Sequence, residues 1–223
     1  VSGGGALPGY IDLFFQSVGI PVAEGYGLTE TSPVLSIRVP GRSGPYTVGP
    51  PLPDTELKLV DATTGQPIGP GSKGVVMARG PQVMKGYYKA EQDTAKVLSD
   101  DGWFNTGDLG RLTVSGELQL TGRAKDTIVL LSGENVEPEP IESKLKESPY
   151  IAQVMVVGQD KKFLGALVIP DFEALGRQLA AESNGSPVPA ADAIAKDPRS
   201  QELILKEIRR LQASDDEFRP GER

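Results

Sequence analysis

Apolar residues recur at two different periods along this chain. In "YIDLFFQSVGI", residues 10–20, Ile11, Phe14, Phe15 and Val18 stand at helical spacing and Gly19 closes the run. "PVAEGYG" predicts a short strand running into a loop. "TELKLV" (55–60) alternates as a strand does, and "GVVMARG" (74–80) predicts another; the "TTGQPIGPGSKG" between them is turn-rich. "RLTVSGELQL" (111–120) predicts a hairpin around Ser115 and Gly116. Up to this point the pattern predicts a mixed α/β piece that ends in small antiparallel sheets.

After Gly122 the texture changes. "DTIVLLSGENV" predicts two short strands around a tight turn, and "EPEPIESKLKES" a helix opened by prolines, with Ile141 and Leu145 one turn apart. "QVMVVG" and "FLGALVIP" predict an apolar strand pair around "QDKK". "DFEALGRQLAAESNG" carries Phe172, Leu175 and Leu179 on one face and stops at Asn184 and Gly185. "DPRSQELILKEIRRLQ" has Asp197 as cap and Pro198 at the first helical position, with Ile204, Ile208 and Leu211 sharing a face. This second block predicts a small α+β domain. The domains expected are 1–124 and 125–223.

Composition narrows the chemistry. The 223 residues suffice for one large or two modest domains, and 38% hydrophobic residues supply a core. No apolar run is long enough to span a membrane. A net charge of −7 argues against a general nucleic-acid binder. With no Cys and no His, thiol nucleophiles, Ser-His-Asp triads and the usual zinc sites are excluded. Chemistry must run on carboxylates, hydroxyls, Lys, Arg and backbone groups.

Four motifs could carry it. "SGGGALP" offers backbone without Cβ for close approach of a flat or phosphorylated ligand, or is a plain tight turn. In "GYGLTETSP", Tyr26 could present a ring face to a base, Thr29 could donate to a phosphate, and Glu30 could hold Mg²⁺; a capped turn explains the same residues. "GWFNTGDLG" places Asp108 on a glycine-backed turn, able to accept from ribose hydroxyls, or to close an Asx-turn. Trp103 beside it reads as core filling. "LTGRAKDTIVLLSGENVEPEPIE" holds Arg123, a fork for ribose or phosphate oxygens, and Lys125 at the change of texture, unless the stretch is a solvated linker.

The ordered set of these motifs resembles the adenylate-forming acyl-activating (AMP-binding) superfamily. "RGPQVMKGYYK", "LTGRAKDTIVL" and "VVGQDKKFLGALVIP" resemble long-chain fatty acyl synthetases of the plastid and cyanobacterial type that charges acyl-carrier protein. The resemblance covers most of residues 1–172 and is loose beyond.

It implies an α/β fold: the C-terminal part of the large adenylate-forming domain, followed by the small α+β domain. It implies Gly4, Gly5 and Ala6 on the adenine side, Tyr26 and Gly27 along the adenine ring, Thr29 at the α-phosphate and Glu30 on Mg²⁺. Asp108 would bind the ribose with Arg123 beside it, Lys125 would be the hinge, and Gly133 would lie along the phosphopantetheine channel. ATP, Mg²⁺, a long-chain fatty acid and CoA or acyl-carrier protein are the implied ligands. Plastid or cytoplasm is the implied location, with peripheral membrane association left open.

Two alternatives stand beside it: an acyl-activating enzyme for aryl or amino acids, and a non-catalytic nucleotide-binding relative. Lys125 departs from the Asp of many relatives. The family's phosphate loop would lie before Val1 and its late lysine after Arg223. The expectation is therefore an interior fragment, inactive alone.

Overall fold

The computed structural model describes residues 2–5, 7–182 and 190–213, and the chain divides into two compact units, Val1–Asp126 and Thr127–Arg223. Unit 1 runs α1 (Gly9–Ser17), β1 (Gly25–Tyr26), β2 (Ser36–Ile37), β3 (Glu56–Val60), β4 (Pro67–Ile68), β5 (Lys73–Arg79), α2 (Glu91–Val97), β6 (Phe104–Leu112) and β7 (Leu118–Arg123). Strands β3 to β7 form one antiparallel sheet in the order β4-β3-β5-β6-β7. β1 and β2 pair separately. Alternation along β3 and β5 turns Leu59, Val76 and Ala78 inward, where they pack with Tyr26, Leu35, Val48 and Leu118. Each fully buried leucine of this cluster contributes about 2 kcal/mol.

The helix expected over 10–20 forms as α1, but its apolar stripe is not what it buries. Phe14 and Val18 are 60% and 52% exposed, and the buried residue of the helix is Asp12. The cause is Arg38, whose guanidinium donates to Asp12 Oδ1 at 2.7 Å and to Glu24 Oε2 at 3.0 Å. A buried charge must be paired, so the Asp12 side of the helix turns inward.

Unit 2 runs β8 (Ile128–Val129), β9 (Asn135–Val136), α3 (Pro138–Leu145), β10 (Ile151–Val157), β11 (Gly165–Pro170), α4 (Phe172–Glu182), α5 (Ala191–Lys196) and α6 (Pro198–Ala213). Two hairpin-like pairs, β8–β9 and β10–β11, are antiparallel. Ile141 and Leu145 of α3 join Val154 and Val156 of β10 and Leu211 of α6 in one cluster. Leu175 and Leu179 of α4 form a second cluster with Ile194 of α5, and Phe172 and Ile204 pack on it. The expected helix stop at Asn184 and Gly185 lies outside the described residues.

Candidate functional site

Strand register brings the first pair together. β6 and β7 set Asp108 directly opposite Arg123, and Arg123 Nε donates to Asp108 Oδ1 at 2.7 Å. Opposed residues on an antiparallel ladder are close enough for such a bond. Between the β5 partners Val75 and Met77 the register of β6 shifts, so Thr106, Gly107 and Asp108 bulge out. A bulge re-aims the side chain it carries. Thr106 Oγ1 ties the bulge down, donating to the Val76 carbonyl at 2.8 Å and accepting from the Asp108 N–H at 3.1 Å.

Tyr26 completes the group. Its hydroxyl donates to Asp108 Oδ2 at 2.8 Å, across 82 residues of sequence. Burial, and then the Asp108 charge, push the Tyr26 pKa well above its ordinary value, so the phenol stays a donor. The hydrogen bond to Asp108 likewise raises Arg123 above its usual value. The open ring face expected for Tyr26 is not present in this structure: the residue is 7% exposed and its ring lies in the unit-1 core. The glycine after it has its own reason. A Cβ at Gly27 would run into the Pro33 carbonyl, so only glycine lets the chain double back there.

The turn that follows divides its labour. Thr31 is buried and does the capping: its Oγ1 accepts from the Leu28 N–H at 2.9 Å and faces the Leu28 and Pro33 carbonyls at 3.0 Å. That leaves Thr29 exposed at the start of a 3-10 turn, with no side-chain hydrogen bond to the described residues, and Glu30 half-buried beside it. The capping residue and the residues left outside the cap thus coexist in one stretch. Glu30 Oε1 accepts from the Tyr87 hydroxyl at 3.0 Å.

The described residues contain no cluster of three or more metal-binding side chains. Magnesium takes only one or two carboxylates and completes its shell with water and phosphate oxygens, so Glu30 fits that ion.

The other expected residues fall as follows. Gly4 and Gly5 are exposed on the turn after Ser2, which bridges in parallel to Glu24 beside β1; Ala6 lies outside the described residues. Lys125 is exposed in the 3-10 turn Ala124–Asp126 that ends unit 1. Gly133 belongs to unit 2, in the turn between β8 and β9, with φ +84°. Its backbone angle demands glycine there; a Cβ would meet no atom within 4 Å, so its own unit does not crowd it. Trp103 is buried as expected, with Lys58 Nζ 3.9 Å from the ring centroid and the Arg79 guanidinium carbon 4.7 Å away.

Two features escaped the sequence. One is the buried Asp12–Arg38–Glu24 cluster, in which Arg38 Nε also donates to the Thr47 carbonyl at 2.8 Å and Glu24 Oε1 accepts from Leu7 N–H at 3.2 Å. It fastens the glycine-rich turn to β1. Burial pushes the Glu24 pKa up against the pull of Leu7 and Arg38. An aspartate inside an apolar helical run was its available signal. The other is Tyr87.

The comparisons agree on one family. The AMP-binding enzyme model matches residues 1–88, and the AMP-binding enzyme C-terminal domain model matches residues 125–215. A protein of Arabidopsis thaliana named "Probable acyl-activating enzyme 16, chloroplastic" is 52% identical over 84% of this chain. The chloroplastic long-chain-fatty-acid–acyl-carrier-protein ligase AEE15 of the same plant is 48% identical over 79%. The aligned part is only 27% and 26% of their lengths. The solved structure of o-succinylbenzoate coenzyme A synthetase (MenE) from Bacillus subtilis, in complex with ATP and magnesium ion, aligns at TM-score 0.68 and 32% identity, covering 76% of this chain and 36% of that one. Two family models that together match most of the sequence, and a structure that follows the same course, lead to one statement: the chain belongs to the AMP-binding enzyme family.

Proposed function

We propose that the protein is a ligase that activates a long-chain fatty acid with Mg-ATP and passes the acyl group to a phosphopantetheine thiol, of CoA or of acyl-carrier protein. A carboxylate oxygen of the fatty acid attacks the α-phosphorus and pyrophosphate leaves. The thiol then attacks the acyl carbon, and AMP leaves. Neither step calls for a protein nucleophile, in keeping with a chain that has no Cys and no His. The protein contributes position and charge.

The observation that carries this reading is the Tyr26–Asp108–Arg123 group beside the Thr29–Glu30 turn. Asp108 would accept from both ribose hydroxyls, since a carboxylate oxygen can accept more than one bond, while Tyr26 and Arg123 hold it in place. Thr29 would donate to the α-phosphate. Glu30 would hold the magnesium ion, which neutralises charge on the phosphates. Gly4, Gly5 and Ala6, with Gly27, would border the adenine, and Tyr26 would serve the site through its bond to Asp108. Lys125 would be the hinge between the units and Gly133 would line the thiol channel. Likeness to the long-chain-fatty-acid ligase of Arabidopsis supports the fatty substrate, and likeness to both chloroplastic proteins supports a plastid location. No described helix is long and apolar enough to cross a membrane.

The test is a thioester assay on the whole protein, offering fatty acids of several lengths with CoA and acyl-carrier protein in parallel. Pyrophosphate release dependent on fatty acid is the expected result. Its absence with every chain length would reject the reading. In the same assay Asp108→Ala should weaken ATP binding at least about tenfold, the scale set by losing a charge-assisted bond; unchanged affinity would remove Asp108 from the ribose.

A further inference from the structure

Several carboxylates of this unit are met by cations, while Glu117 and Asp61 take backbone N–H and hydroxyl donors instead. Arg38 takes Asp12 and Glu24, Arg79 takes Glu56, and Arg123 takes Asp108. Glu30 is of the second kind. Its side-chain partner is the neutral phenol of Tyr87, at 3.0 Å, and no Lys or Arg among the described residues pairs with it. A cation would cancel the charge of Glu30. A phenol fixes the direction of the carboxylate and leaves the charge in place, which is the arrangement that suits a carboxylate waiting for a metal ion.

The phenol is itself held. The Tyr87 N–H donates to Thr94 Oγ1 of α2 at 2.9 Å, and Thr94 Oγ1 in turn donates to the Ala90 carbonyl at 3.0 Å. Three residues earlier, the Met84 N–H donates to the carbonyl of Glu30 at 2.8 Å. Segment 84–87 therefore grips Glu30 at two points, main chain and side chain, and is anchored behind by a helix. A glutamate on an exposed turn would otherwise sample many rotamers.

We propose that Tyr87 is a positioning residue for the divalent cation, acting through the carboxylate of Glu30. This rests on the reading of Glu30 as the cation's protein ligand. Removing an outer hydrogen bond of this kind lowers metal affinity about 10-fold or more.

The probe is Mn²⁺, followed by electron paramagnetic resonance on the whole protein with a non-hydrolysable ATP analogue. Tyr87→Phe deletes one hydroxyl from a partly exposed ring. It should weaken Mn²⁺ binding about 10-fold, leave analogue affinity in EDTA unchanged and leave the melting temperature unchanged. Excess Mg²⁺ should restore its rate of pyrophosphate release. Wild-type Mn²⁺ affinity in Tyr87→Phe would overturn the proposal. So would an equal loss of analogue affinity with and without metal, which would mark Tyr87 as packing for the turn. Glu30→Gln separates the two ideas: if it too binds Mn²⁺ as wild type does, the assignment of Glu30 falls, and Tyr87 with it.

Discussion

A phenol that donates into a largely buried carboxylate is costly to remove, because little water reaches the acceptor left behind. Tyr26→Phe keeps the ring and deletes the donor, leaving Asp108 Oδ2 short of one bond at 7% exposure. The expected loss is about 2 kcal/mol of unfolding free energy, the range for hydrogen bonds to charged groups, read by urea denaturation of the whole protein. Stability equal to wild type would mean the bond makes no net contribution. Residues of this site were legible in unequal measure. Asp108 and Arg123 announce themselves because each stands beside a glycine in a short motif, and β pairing then makes them neighbours. The Tyr26–Asp108 bond spans 82 residues and Tyr87–Glu30 spans 57, distances over which no local pattern speaks. Within "TET" the sequence offers two equivalent threonines. Only the fold decides that Thr31 caps and Thr29 stays outside.

Elements were legible where a cap and a stripe coincide. α6 opens on Asp197 and Pro198, and Ile204, Ile208 and Leu211 all reach a core. Asp197 Oδ1 accepts from the Arg199 N–H at 2.9 Å, and the Arg199 side chain and backbone together hold the carboxyl below the usual aspartate range. A lowered folded pKa stabilises the helix start fully above the unfolded value of about 3.9, and the effect fades as pH falls through the folded value. The Arg199 amide resonance should therefore titrate with a midpoint under that of an ordinary aspartate, and Asp197→Ala should abolish the titration. A midpoint at or above the ordinary value would show that the cap is not made. α2 gave no such signal: "EQDTAKV" has no apolar stripe and buries none of its residues. α1 gave a misleading one, because its stripe is intact while a single buried ion pair chooses the face that turns inward.

At the scale of the whole molecule, function as proposed requires two half-reactions from one set of units, hence a joint. The texture of the sequence changes after Gly122, the expected domain boundary follows residue 124, and the structure divides after Asp126. Lys125 sits between, exposed in a single 3-10 turn directly after β7. A joint works by changing φ and ψ at few residues, and such residues need neither a partner nor burial. Proline fixes φ near −65°, so Lys125→Pro would lock the joint without touching the Tyr26–Asp108–Arg123 group. Adenylation and thioester formation should then separate. Pyrophosphate release in a single turnover should stay within a few-fold of wild type, and transfer to the thiol should fall at least about tenfold further. Lys125→Ala removes the same charge and keeps φ free, so its two rates should hold the wild-type ratio. Equal losses in both half-reactions for Lys125→Pro would show that the turn only supports β7, and that the joint lies elsewhere.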